Sequence, residues 1–369
     1  MKKTTIATLV AAAMTSATPA FATDVAKELA AMKARIAQLE AQLAAQQATT
    51  EKLEQETEAQ ASAAPANGGF ADNVSVGGEV TLLAQQVETD GENSVGDVLV
   101  DTFELEIAAD INENVKVSTL IEYLSADEKL DLAEAYVVIG SEDDPLSFTL
   151  GKAAHPLLVG DSAAFTDPIA FDIFDAKEGL AMLSYQNEMI QLDTYVLNNS
   201  AEGNEGLDTF GLNLGTTFSN SVSLGAGYVT DVANTAGPFS ELGGLTEKID
   251  AWRVNALVEA NDLALFAEYI QLGKSNLAGE PSFLHLGAGY GTQILGADGT
   301  LFLGYSESDE AEDIDDVAGI DYELPEKRVA LGVSRSLGEN AEVTAEYVRE
   351  EAYSDTDSDI LNVAVTTTF

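Results

Sequence analysis

Charged side chains recur on one face of many alternating segments, and this pattern has the clearest chemical use in the sequence. In residues 103–110, for example, apolar side chains alternate with Glu104, Glu106 and Asp110. If the apolar face of each strand meets lipid, the opposite face carries its charges into a hydrated interior. Rings of carboxylates in such an interior favour cations. The alternation therefore predicts an aqueous passage with a mild cation preference, unless the charges pair across strands and leave little net field.

Twelve charged residues are the candidates for lining or constricting this interior. They are Glu104, Glu106, Lys116, Glu122, Asp161, Asp167, Asp172, Asp175, Lys177, Arg253, Arg328 and Glu346. The wider set of inward-facing charges also includes Glu79, Asp193, Glu259 and Glu342.

Residues 155–177 form a long link that is unusually apolar for a solvated loop. Leu157, Phe165 and Ile169 are among its apolar side chains. Two interpretations follow from this composition. The link folds inward and narrows the passage, or it packs on a neighbouring subunit, and the sequence does not choose between them.

Catalytic and metal-binding motifs are weak by comparison. The two histidines, His155 and His285, stand beside no nucleophile–base pair, and both fit loop or strand-end positions. The acidic run 309–316 lacks the spaced residues and glycine of a calcium loop. Cysteine is absent, which excludes thiolate metal sites and thiol catalysis. We therefore expect no enzyme, no metal site and no cofactor.

The overall charge excludes one class of partner. The chain has 17 basic and 63 acidic residues, a formal net charge of −46. Polyphosphate would repel such a chain, so we expect no nucleic-acid partner. Docking on an anionic lipid surface is disfavoured for the same reason.

The first 22 residues read as an export signal. Lys2 and Lys3 precede a short apolar stretch, and small residues flank Phe21 in Ala20-Phe21-Ala22. This order is typical of a signal peptide, here cleaved after Ala22. No later stretch reaches the ~18 apolar residues of a membrane-spanning helix.

Residues 23–60 are predicted to form a coiled-coil helix. Leu29, Ile36 and Leu43 recur at heptad spacing, and a second seam runs through Met32 and Leu39. The alternative is a single solvated amphipathic helix. Residues 61–72, rich in small and polar residues, are predicted to be a linker.

From residue 73 to 369 the pattern has a period of two, and about sixteen strands are predicted. Short polar turns such as Asn112-Glu113-Asn114 alternate with longer links such as 88–96 and 232–248. This alternation, with strands of about 9–11 residues, predicts an all-β, antiparallel transmembrane barrel with its long links outside the cell. A soluble β-sandwich is the alternative, although it would not need regular alternation of link lengths.

The last strand ends on an aromatic residue. Leu361, Val363, Val365, Thr367 and Phe369 share one face. Outer-membrane barrels present such a terminal strand to the barrel assembly machinery, so Phe369 is predicted to be an assembly signal.

Several short motifs accompany this order of signal peptide, coiled coil, linker and barrel. They are Glu134-Ala135-Tyr136-Val137, Leu150-Gly151-Lys152, Thr166-Asp167-Pro168 and the terminal Phe. Together they resemble the LbtU-type siderophore porins, Gram-negative outer-membrane barrels with a periplasmic coiled coil. The chain departs from that family after Pro168, where Asp175-Ala176-Lys177-Glu178 stands, and no family binding residue can be transferred.

The resemblance implies outer-membrane transport, with iron–siderophore complexes as one solute class. We therefore expect a porin for small hydrophilic solutes, surrounded by outer-membrane lipid and with a homotrimer as one candidate assembly. The alternative is a structural barrel that is tethered or trimerised through its coiled coil.

Overall fold

The structure, a computed structural model, describes the barrel part of the chain. Its described residues are 73–91, 93–125, 129–141, 144–157, 163–174, 177–198, 207, 209–218, 221–232, 248–273, 279–312, 314, 324–354 and 356–369. These belong to one compact unit, Asn73–Phe369. The predicted signal peptide, coiled coil and linker lie outside the described residues.

Sixteen strands and one short helix make up the described unit. The strands are β1 (Val74–Thr89), β2 (Val95–Asn112), β3 (Val115–Leu124), β4 (Lys129–Ile139), β5 (Leu146–Ala154), β6 (Lys177–Gln186), β7 (Ile190–Leu197), β8 (Thr209–Phe218), β9 (Val222–Val229), β10 (Ala251–Ala260), β11 (Leu263–Leu272), β12 (Ser282–Ile294), β13 (Ala297–Asp309), β14 (Pro325–Ser336), β15 (Ala341–Ala352) and β16 (Asp357–Thr368). The helix α1 (Phe171–Phe174) lies in the link between β5 and β6.

Each strand pairs antiparallel with its neighbours in sequence, and β16 pairs with β1, so the sheet closes into a barrel. At the closing seam Glu79 stands opposite Thr368, and Thr89 stands opposite Ser358. Closure leaves no free edge along the seam, which is how antiparallel sheets avoid exposed backbone groups in lipid. The predicted sixteen-strand antiparallel barrel is confirmed.

The wall has an apolar outside. Leu82, Leu303 and Leu331 are 50%, 49% and 57% exposed. Their sequence neighbours on the other face, among them Leu83, Phe302 and Ala330, are buried. Because side chains alternate between faces at every residue, this contrast sorts each strand into an outward apolar row and an inward row.

The first hairpin is longer than the hydrophobic alternation indicates. The sequence predicted a link over 88–96, whereas β1 continues to Thr89 and β2 starts at Val95. The pairs that reach into that link are Gln86 with Gly96 and Val87 with Val95 in the hairpin, and Glu88 with Asp359 and Thr89 with Ser358 at the seam with β16. Backbone pairing continues beyond the predicted ends of the strands, so the pattern underestimates the strands.

Residues 163–174, which we call the inner segment, lie inside the barrel. The main-chain N–H groups of Phe165 and Thr166 donate to the Glu346 carboxylate on β15. Arg328 on β14 donates to the Asp167 carbonyl. Of the two interpretations of the 155–177 link, the inward fold therefore describes this part of it.

The inner segment also takes part in a hydrophobic core within the lumen, which we call the inner core. Leu157, Ile169 and Phe174 from the β5–β6 link pack there with inward-facing side chains of β9 to β12, including Ile270 and Phe283. The Phe174 and Phe283 rings meet edge to face, with centroids 5.7 Å apart. Apolar burial of this kind stabilises packing by roughly 25 cal/mol per Å², so the core fixes the link against one side of the lumen.

Among the residues that the structure describes, no helix is long and apolar enough to cross a bilayer.

Candidate functional site

A chamber of about 950 Å³ lies in the lumen between the inner segment and the wall formed by β1 to β3. Glu104, Glu122, Asp167, Lys177 and Arg328 line it, all of them predicted candidates. The strands place them there because inward-facing positions recur every second residue. The chamber thus gathers charged groups from strands that are far apart in the sequence.

Three glutamates stand side by side on the chamber wall, and we call them the carboxylate row. Glu79 on β1 faces Glu104 on β2, and Glu104 faces Glu122 on β3. Directly opposed residues in antiparallel strands have Cα atoms about 4.5–5.5 Å apart. Opposed like charges destabilise a sheet. The row therefore forms a strongly negative strip inside the barrel.

Lys177 reaches this row from β6. Its Nζ donates to both carboxylate oxygens of Glu122, at 3.0 and 2.8 Å. Lys177 begins β6 and Glu122 lies on β3, so the ion pair crosses over β4 and β5. The two side chains are only 18% and 13% exposed, which reduces the screening of the pair by solvent.

Glu346 on β15 anchors the inner segment to the wall. This side chain is 1% exposed. Its carboxylate accepts from the Phe165 and Thr166 main-chain N–H groups at 3.0 and 3.1 Å, and from the Thr166 hydroxyl. Asn362 on β16 donates to the same carboxylate at 3.4 Å. Charge-assisted bonds of this kind are stronger than neutral ones, so the segment is held firmly at this point.

Arg328 makes the second attachment. Its Nη1 donates to the Asp167 carbonyl at 2.7 Å, and its Nε donates to Glu350 at 2.6 Å. The guanidinium therefore links the segment to the wall and is partly neutralised by a carboxylate. Arg328 and Lys177 are the basic residues among those that line the described part of the chamber.

Arg253 lies in a different, packed part of the lumen. It is 8% exposed and donates to Asn213 at 3.1 Å, with Glu268 at 3.6 Å. Asn213 in turn donates to Asp193 at 3.3 Å. This polar cluster joins β7, β8, β10 and β11, and the chamber is lined by other residues.

His155 belongs to the same packed region. The main-chain N–H of Leu157 donates to its Nδ1 at 2.9 Å, and its ring meets Tyr195 edge to face. Burial, helped by the positive charge of Arg253, lowers the pKa of His155 to about 3. The ring is therefore neutral over the ordinary pH range, and it serves packing rather than proton transfer.

The remaining candidates are dispersed. Glu106 accepts from the Ser118 hydroxyl at 3.1 Å. Lys116 lines a separate depression of about 660 Å³, together with Asp110 and Glu113 near the β2–β3 turn. Asp161 and Asp175 lie outside the described residues, and the side chain of Asp172 does as well.

The sequence prediction missed two residues that bond to Glu346, namely Thr166 and Asn362. Both are neutral polar residues, whereas the residues predicted from the sequence to line the interior were chosen by their charge. Asn362 lies on the polar face of the last strand, and that face was a usable signal. Thr166 stands in the motif Thr166-Asp167-Pro168, but the motif gave no signal of this contact, because the contact depends on the path of the link inside the barrel.

The described residues hold no group of three or more metal-ligating side chains that could bind an ion.

The barrel is similar to solved structures of bacterial outer-membrane proteins. OmpF of Salmonella typhi, solved in complex with daunomycin, matches with a TM-score of 0.59 and 16% identity, over 80% of this chain and 98% of that one. The outer-membrane channel DcaP of Acinetobacter baumannii matches with a TM-score of 0.55 and 14% identity, over 80% and 97%. An anion-selective porin from Comamonas acidovorans matches with a TM-score of 0.55 and 12% identity, over 80% and 99%. At these identities the likeness shows a shared fold.

Sequence comparison gives one curated relative. The UPF0422 protein lpp3030 of Legionella pneumophila (strain Paris) is 28% identical over 166 residues, which is 39% of this chain and 30% of that protein. The match thus spans less than a third of that relative. No protein-family model matches the sequence.

Proposed function

We propose that this chain is an outer-membrane porin that conducts small hydrophilic solutes through the chamber beside the inner segment. One observation carries the proposal, namely that a closed barrel with an apolar outer wall encloses a charge-lined chamber. Apolar side chains that are half exposed on every side of a barrel require lipid around them, whereas charged side chains inside require water.

The named neighbours support this environment. DcaP is described as an outer-membrane channel, and the Comamonas acidovorans protein is described as a porin. A sixteen-strand barrel is wide enough for an aqueous passage. Export by the predicted signal peptide, with cleavage after Ala22, and assembly through Phe369 complete the proposed route to the outer membrane.

The chamber favours cations in this proposal. Glu79, Glu104 and Glu122 form an unbroken row on one wall. The chamber's two basic side chains are each bonded to a carboxylate, Lys177 to Glu122 and Arg328 to Glu350. Net negative charge along a narrow passage raises the local cation concentration. This chain would then differ in selectivity from the neighbour described as anion-selective.

Iron–siderophore complexes remain the finer proposal for the solute, on the strength of the sequence resemblance. A homotrimer remains a proposal as well. OmpT of Vibrio cholerae, a barrel with a TM-score of 0.52 to this one, is described in a trimer form.

Planar-bilayer recording of the purified full-length mature protein tests the proposal. We expect discrete single-channel steps and, in a KCl gradient, a reversal potential on the cation side. Adding a ferric siderophore complex should reduce the current if that solute enters the chamber. A protein that folds into the barrel but gives no steps would overturn the channel function, and an anion-side potential would overturn the selectivity.

A further inference from the structure

The carboxylate row has a cost that the barrel must offset. Glu79, Glu104 and Glu122 are directly opposed on adjacent strands. Like charges that are directly opposed on adjacent strands repel each other and destabilise the sheet. Glu104 also lies within electrostatic range of Glu134 on β4. The wall thus concentrates negative charge where a sheet normally avoids it.

Lys177 is placed to offset this repulsion at one end of the row. Its ammonium donates to both oxygens of Glu122, and it also lies within electrostatic range of Glu104. The lysine comes from β6, so its side chain reaches Glu122 on β3 past the two intervening strands, β4 and β5. An ammonium group already occupies part of the surface that a mobile cation would contact.

We infer that Lys177 is a tethered counter-ion that limits the cation selectivity of the chamber, and that the row it shields accepts alkylammonium groups and small inorganic cations. This inference rests on the proposed conduction and deepens it. Mobile cations compete with the Lys177 ammonium for the row. Solutes that carry a primary amine present the same chemical group as Lys177, so the row contacts them in the same way.

Removing the tethered charge exposes the full row. In Lys177→Gln the carboxylates keep their positions and lose the cation that Glu122 holds. The local concentration of mobile cations rises, and the ratio of potassium to chloride permeability should increase at least about threefold. Lys177→Arg keeps a positive charge at the position and should stay close to the unsubstituted barrel.

A substitution on the other partner gives an independent second variant. In Glu122→Gln the ammonium of Lys177 is released from its carboxylate and turns toward Glu104, while one negative charge is lost. Cation selectivity should then fall below that of the unsubstituted barrel. In the double variant the effect of Lys177→Gln should shrink, because the two side chains act as a pair.

Reversal potentials in a KCl gradient, recorded for the full-length mature protein in planar bilayers, test the inference. Lys327→Gln is the matched control, since it removes the same charge from the outer wall, where Lys327 pairs with Glu326 and Glu351. Methylammonium chloride in place of KCl probes the amine class and should show the same order among variants. Folding of each variant is checked by heat-modifiable mobility on gels.

The possible outcomes distinguish a failure of this inference from a failure of the proposed conduction. A selectivity increase in Lys177→Gln that Lys177→Arg and Lys327→Gln lack supports the inference. Single-channel steps with unchanged selectivity in Lys177→Gln and Glu122→Gln overturn it and leave conduction standing. If Lys177→Gln does not fold, unchanged selectivity in Glu122→Gln alone overturns it. Failure of the unsubstituted barrel to conduct overturns both.

Discussion

Glu346 shows how a single buried carboxylate can determine the shape of a lumen. A charged group that is 1% exposed needs donors, and the structure supplies main-chain amides, a hydroxyl and an amide side chain. Two of these donors are main-chain N–H groups of the inner segment. Glu346 is therefore one of the groups that fix the position of that segment, together with Arg328 and the inner core.

Glu346→Ala should loosen the inner segment. The Phe165 and Thr166 amides would lose their acceptor, at a cost of about 1–3 kcal/mol for each group left buried and unsatisfied. The segment moves to relieve that cost, so open-channel current noise in single-channel records should rise and mean conductance should change.

Glu342→Ala is the control for that experiment. Glu342 lies on the same strand and lines the chamber, and the variant removes the same charge. Equal current noise in the two variants would mean that charge, and not anchoring, sets the behaviour of the segment.

At the scale of single residues, the sequence predicts which charged side chains face the lumen, but it does not predict their contacts. Glu104 and Glu122 could be predicted because a strand alternates its faces. The burial of Arg253 could not, because it results from the packing of neighbouring strands and of the β5–β6 link. The contacts of Lys177 with Glu122 and of the inner segment with Glu346 also require the closed barrel.

At the closing seam between β1 and β16, the last residue packs closely against the backbone of β1. Phe369 exchanges two main-chain hydrogen bonds with Gly78, at 3.0 and 3.1 Å. A Cβ on Gly78 would lie 2.5 Å from the Glu104 carbonyl oxygen and 2.6 Å from Cζ of the Phe369 ring. The lack of a side chain at Gly78 therefore leaves the space that the Phe369 ring occupies.

Gly78→Ala should destabilise the barrel by about 1–3 kcal/mol through overpacking at the seam. The measurement is the denaturant midpoint of the folded barrel in detergent, together with the folded fraction on heat-modifiable gels. Gly77→Ala is the neighbouring control, because a Cβ there meets the Phe369 carbonyl oxygen at an ordinary 3.4 Å. A similar loss of stability in both variants would refute the role of Gly78 in leaving space for Phe369. Phe369 stays our predicted assembly signal.

Among the elements, strand number and order followed from hydrophobic period and turn residues. Two features escaped that reading. The β1–β2 hairpin continues beyond the predicted end of its strands, and α1 forms within a link. Each depends on backbone pairing or packing that a period-two pattern does not record.

At the largest scale, the described barrel divides into an apolar exterior and a lumen with two unlike halves. One half holds the chamber, and the other holds the inner core and the polar cluster around Arg253. The exterior could be predicted, since every strand contributes the same alternation. The division of the lumen could not, because it depends on where one link folds after the sheet has closed.

An outward cation should be far more damaging than an inward one. Leu331→Arg places a charge on the outer wall and should cost about 2–4 kcal/mol near the bilayer midplane. Gln85→Arg places the same charge in the chamber and should cost about 1 kcal/mol, through loss of the Gln85–Asn362 hydrogen bond. Unfolding free energies in lipid vesicles compare the two. Equal costs would contradict a lipid-facing outer wall.

The barrel wall and the inner core form in different surroundings, the wall in lipid and the core in the water of the lumen. The wall is stabilised against lipid, whereas the core forms by removing apolar side chains from lumenal water. Because the core joins the β5–β6 link with strands as distant as β12, it can complete only after the sheet has brought them together. Denaturants that act through water reach the core first. A mildly denatured barrel would therefore keep its wall intact around an emptied lumen.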